Sequence, residues 1–156
     1  MIQHSETKLV QGLPPVADAF SGTVYSDVIN MKNWARVRFI RYAGVGTTGT
    51  STLTVEACDN TTPSNVSAIP FRYRETGAGT DVFGALTDAT ASGFTTTAGS
   101  NQIVEVWADA EQLGASGYGY IRLKAVESAN DPVLGGILVE LHGPRYASAT
   151  DETVIS

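Results

Sequence analysis

Short runs of β-branched and aromatic residues recur along this chain, each closed by Gly, Asn, Asp, Pro or Ser within about ten residues. The clearest are "GTVYSDVI" (22–29), "WARVRFIRYA" (34–43), "STLTVEAC" (51–58) and "VSAIPFRYR" (66–74). Three more follow: "QIVEVWAD" (102–109), "YGYIRLKAV" (118–126) and "VLGGILVELHG" (133–143). Within a run the apolar residues fall every second position. Leu53, Val55 and Ala57 alternate with Thr52, Thr54, Glu56 and Cys58, the pattern of a strand that buries one face. The Ala/Thr/Gly-rich stretch 82–100 holds room for short strands near Val82–Leu86 and Gly93–Thr97. "ADAEQLGAS" (108–116) is the one helical suggestion, a single turn capped by Asp109 and ended by Gly114. The expectation is an all-β, single-domain sandwich or barrel of about eight strands with at most one short helical turn.

Length permits this. A chain of 156 residues buries roughly 70% of its unfolded surface, enough for one core without staples. Hydrophobic content of 42% and charged content of 17% are those of a folded chain. The division expected is an extended N-terminal arm over residues 1–20, a β-sandwich over 21–147 and a C-terminal tail over 148–156. The arm is inferred from "GLPPVADAF", where Pro14 and Pro15 favour extended backbone and no period of 2 or 3.6 is clean. Pro70 within 66–74 argues for an edge or a bulge.

Several functional classes are weakened by the same residues. A net charge of −6 lacks the basic face that nucleic acid demands. No window approaches 18 apolar residues, and the N-terminus does not read as a secretory signal. The single Cys58 cannot form an internal disulfide, which fits a reducing cytosol. It reads as a small half-buried residue, because no base lies near it in sequence. His4 and His142 are the only histidines, with no metal-ligand spacing around them. "GVGTTG" (44–49) satisfies the dinucleotide-binding pattern, but that motif needs a helix to open at its third glycine. Here "TSTLTVEA" follows, a strand, so Gly44, Gly46 and Gly49 are expected to shape a hairpin loop. No cofactor, metal or small-molecule substrate is expected, and the chain is not expected to be an enzyme.

The unusual stretch is "WARVRFIRY". Three of ten Lys and Arg residues, Arg36, Arg38 and Arg41, fall in six positions. Alternation puts Ala35, Val37 and Phe39 on one face and Trp34, Arg36 and Arg38 on the other. Beyond Phe39 the pattern slips: Ile40 and Tyr42 join the arginine side and Arg41 the apolar side. A bulge near Phe39–Ile40 would restore order. Arg with Trp and Tyr is the composition of interface cores. In an acidic chain these arginines are expected to meet carboxylates of a neighbouring subunit or another partner. The candidate interface residues are Trp34, Arg36, Arg38 and Tyr42, with Pro14 and Pro15 on the arm.

The order "YSDVINMKNWARVRFI", "TLTVEAC", "IPFRYR", "IVEVWADAEQLGASGYGYIRLKA", "ILVELHGPRY" resembles small head decoration (cement) proteins of tailed bacteriophages. The resemblance covers about residues 20–147. Its short signatures are Met31–Lys32–Asn33–Trp34, Tyr120–Ile121–Arg122 and Gly143–Pro144–Arg145–Tyr146. It implies a jelly-roll-like β-sandwich, no catalysis and attachment to the major capsid protein on the outer surface of a virion, often as a homotrimer. The alternative from a different class is a tail- or fibre-associated β-sandwich binding a host-surface carbohydrate.

Overall fold

Residues 6–145 and 153–155 are described by the computed structural model. Strand β1 (Thr7–Val16) is followed by β2 (Thr23–Tyr25), β3 (Ile29–Asn30), β4 (Trp34–Ala43), β5 (Thr50–Cys58) and β6 (Val66–Ile69). Then come β7 (Phe71–Glu75), β8 (Thr87–Ala89), β9 (Phe94–Thr95), β10 (Gln102–Asp109), β11 (Tyr120–Ala129) and β12 (Gly135–Pro144). A single 3-10 turn spans Ala110–Leu113. It starts at Asp109, whose backbone N–H donates to the Gln112 side chain at 2.8 Å, and stops at Gly114.

These strands form two antiparallel sheets packed as a sandwich. The first has the order β1-β12-β4-β10-β7-β8. The second runs β2-β11-β5-β6, with β3 also on β11 and β9 on β5. The chain passes from one sheet to the other again and again. The two four-strand orders β1-β12-β4-β10 and β2-β11-β5-β6 are the wrapping of a jelly roll. Eight strands make this frame, and β3, β7, β8 and β9 are additions to it.

The core lies between the sheets. Val37, Phe39, Val104, Val106, Ile137, Val139 and Leu141 point inward from the first sheet. They meet Leu53, Val55, Ala57, Ile121, Leu123 and Ala125 from the second. Each large side chain removed from water in this way contributes about 1.5–3 kcal/mol. Phe94 extends the core at its margin, stacking on Tyr73 with ring centres 3.6 Å apart.

Five sequence expectations are corrected here. Residues 7–16 are not an arm. They form β1, which pairs with β12 from Thr7–His142 to Val16–Gly135. Ala19 and Phe20 behind it are buried in the core. The proline pair is tolerated because β1 is an edge strand with register shifts around Leu13, where missing N–H groups break no ladder. The tail is also partly built in. Asn30 N–H donates to Val154 O at 2.8 Å, and the Val154 side chain is buried. Residues 1–5 and 146–152 lie outside the described set, as does Ser156. His4 therefore lies outside it as well.

The stretch 66–74 is two strands rather than one. At Pro70 the chain leaves the second sheet as β6 and enters the first as β7. The glycine loop 44–49 is not a hairpin within a sheet, for it carries the chain from β4 across to β5. Its glycines answer close packing instead of a left-handed turn. A Cβ on Gly49 would stand 2.3 Å from Asp131 O and 2.5 Å from a Val133 methyl. Asp131 ties the loop down, accepting from Thr47 Oγ1 at 2.6 Å and Thr48 N at 3.0 Å.

Finally, β4 has no bulge at Phe39–Ile40. Its register against both β10 and β12 runs without a shift. Arg41 therefore points inward and is 2% exposed. The break in alternation is at the start of the strand. The Trp34 backbone N–H donates to Met31 O at 3.1 Å, as in a turn, and its indole is buried in the core.

Candidate interaction surface on the outer face of the first sheet

From Arg36 onward the even-numbered residues of β4 face outward, and with their neighbours they divide the outer face into two regions. At one end stand Arg36 and Arg38. Register places Arg36 between Asp109 and His142, and Arg38 between Trp107 and Glu140. The arginines are paired within the chain. Arg36 Nε donates to Asp109 Oδ1 at 2.6 Å. Arg38 Nη1 donates to Glu105 Oε1 at 2.7 Å and Nη2 to Glu140. From β7, Arg74 Nε reaches the other oxygen of Glu105 at 2.5 Å, and Arg72 Nε reaches Asp88 of β8 at 2.7 Å. The Arg38 guanidinium also lies over the Trp107 ring, 4.9 Å from its centre, and His142 packs 5.4 Å from that ring.

The carboxylates that the arginines meet thus belong to their own chain, which corrects the expectation of a partner's acids. Glu105, shared by two arginines and buried, is the hub of this network. Sequence reading left Glu105 and Glu140 without a role. Their signal was present as acidic residues on the outward parity of otherwise apolar strands.

At the other end of β4 the face is apolar. Tyr42 is 59% exposed, and Leu138 of β12 is exposed beside it. Val16, Val45 and Leu134 are also exposed around this end. Between them runs an open groove of about 400 Å³, lined by Leu13, Pro15, Tyr42, Leu134, Gly136 and Leu138 among others. Gly136 forms part of its floor because β1 crosses close above. A Cβ there would meet Leu13 O at 2.8 Å and Pro15 Cα at 3.1 Å.

Of the sequence candidates, the structure brings Tyr42 and Pro15 to this groove and leaves Pro14 exposed nearby on β1. Arg36 and Arg38 belong to the ionic end. Trp34 is in the core and is no surface residue, because its side chain turns inward at the first position of β4.

Two buried groups complete the electrostatics. Arg41 lies over the Phe20 ring at 4.3 Å, and its Nε and Nη1 find no acceptor among the described residues. Burial lowers its pKa to about 10, opposed in part by the charge of Glu75. Cys58 is wholly buried, and burial pushes its thiol up to about 11. A thiol so protonated is a poor nucleophile. Among the described residues no group of three His, Cys, Asp or Glu side chains is placed to hold a metal. No helix of the described residues is long and apolar enough to cross a membrane. Compared with known proteins, the chain matches no protein-family model and no curated protein.

Proposed function

We propose that this chain is a non-enzymatic virion structural protein, a decoration or cement protein that binds the outer surface of a tailed-phage capsid through the apolar end of its first sheet. The observation that carries this reading is the groove under Tyr42, Leu138, Leu134 and Pro15, an exposed apolar cluster beside a network whose charges are already paired. Contiguous exposed apolar surface of this kind marks interaction sites. The sheet edges favour contact by a face over contact by strand addition. The edge strands β2, β6 and β8 are three or four residues long, and β1 is interrupted by register shifts and two prolines. The sequence resemblance supplies the partner, the major capsid protein, and the expectation of a homotrimer.

Co-sedimentation with empty capsid shells tests the reading. The parent protein should pellet with shells, and Leu138→Asp should reduce binding at least tenfold, about 1.4 kcal/mol. Its melting temperature should stay close to the parent's, since Leu138 is exposed on the outer face. A parent protein that stays in the supernatant at micromolar concentration would overturn the proposal.

A further inference from the structure

A second concave feature lies at the ionic end, away from the groove. It is a slot of about 200 Å³ bounded by Arg36, Arg72, Leu86, Trp107, Asp109 and Gln112. Drug-sized sites run from about 300 to 1,000 Å³, so this one has room for a single ring-sized group. Arg38 and His142 pack on Trp107, and the slot is lined by indole surface that they leave uncovered. Gln112 forms a fixed wall. Its Nε2 donates to Pro70 O at 2.8 Å and its Oε1 accepts from Asp109 N at 2.8 Å.

The two arginines are held in a particular way. Each is anchored through Nε, Arg36 to Asp109 and Arg72 to Asp88. Among the described residues, no hydrogen bond occupies the Nη nitrogens of either side chain. Two guanidinium ends are therefore left to donate, and paired N–H donors of this kind match the two oxygens of a carboxylate. Asp109 and Asp88 balance the charge of the arginines, so the slot lacks the positive field that a phosphate or polyanion would exploit. Recognition there depends on donor geometry and on the aromatic floor.

We propose that this slot binds an acidic sugar residue, a pyranose whose carboxylate sits at Arg36 and Arg72 and whose apolar ring face rests on Trp107. Asp109 then supplies an acceptor for a ring hydroxyl. The inference is independent of the capsid reading, since it uses the opposite end of the sheet and no residue of the groove.

Trp107 reports directly on the slot, because the only other tryptophan, Trp34, is buried in the core. Tryptophan fluorescence of the full chain would be titrated with methyl glucuronide and, in parallel, with methyl glucoside and sodium acetate. The glucuronide should give a saturable change, with the glucoside and acetate each at least tenfold weaker. Arg72→Gln should weaken the glucuronide at least tenfold with an unchanged melting temperature, since the Arg72–Asp88 pair is exposed on both sides. Trp107→Phe should abolish the signal. Equal affinity for glucuronide and glucoside, equal affinity for acetate, unaltered binding by Arg72→Gln or no saturable response would each overturn the proposal.

Discussion

The two ends of one sheet face solve the problem of an outer surface in opposite ways. At the β4 N-terminal end, charged side chains are tied to one another across four strands, β12, β4, β10 and β7, with Glu105 at the centre. At the other end the same strands carry Tyr42 and Leu138, and no charge crosses the groove they line. The ionic end is nearly complete in itself. Its hydrogen bonds stitch neighbouring strands and leave the Nη ends of Arg36 and Arg72 open. The apolar end has unpaired apolar surface and gains by being covered. Charge paired within the chain leaves only donor ends such as the Nη groups of Arg36 and Arg72 to offer a ligand, while exposed apolar side chains around a groove offer surface to be covered.

The contrast can be broken most severely at its hub. Glu105→Gln removes the charge that two arginines share in a buried position. Breaking a buried pair costs about 3–5 kcal/mol. The remaining Glu140 contact of Arg38 keeps the effect near the lower figure, read as ΔG in a denaturant titration. A change below about 0.5 kcal/mol would show that the network is solvated and that the two ends differ less than their geometry suggests.

The second intervention acts on the groove. Gly136→Ala sets a methyl against the backbone of β1 at Leu13 and Pro15. Overpacking of this kind costs about 1–3 kcal/mol. Because β1 is an edge, it should lift locally and leave the rest of the sandwich folded. Limited proteolysis should then cut within residues 7–18 faster than in the parent. Cleavage at the parental rate would mean that β1 absorbs the methyl without moving.

The smallest effect is expected from Arg36→Ala. Its side chain is 55% exposed and that of Asp109 49%, and exposed pairs are worth about 0–1 kcal/mol. The small loss should shrink further in high salt. If Arg36→Ala instead matched Glu105→Gln, the ionic end would be one cooperative unit and not a buried hub with an exposed rim.

Much of the frame was legible in the sequence because alternation is local. The limits of β4 and β10 follow directly from "WARVRFIRYA" and "QIVEVWAD". The turn from Asp109 to Gly114 was readable from its cap. Features set by distant contacts were not. β1 was hidden because a double proline argues against a strand everywhere except on an edge, and which strand lies at an edge is decided by the whole fold. β8 and β9, at three and two residues, are too short to show a period. The partners of Arg36 and Arg38 lie 67 to 102 residues away in sequence, so their pairing depends on strand order and register. Arg41 misled for a physical reason. A guanidinium on the apolar parity suggests a slip in the strand, yet an aromatic ring from a segment outside the strand frame, Phe20, receives it inside.

The order of the strands also bears on how the protein is made. β4 is complete at residue 43, but both of its neighbours, β10 and β12, lie more than fifty residues further along. During synthesis, or on dilution from denaturant, "WARVRFIRYA" waits with both edges open until the C-terminal half of the chain arrives. Folds dominated by such distant pairings form in milliseconds to seconds, a long time for a strand of this composition to stand unpaired. Charges set within or beside an apolar β-segment hinder its self-association. Arg36, Arg38 and Arg41 interrupt the one strand that must wait longest between two absent partners, so the residues that later cross-link the finished sheet also serve as gatekeepers of the unfinished one.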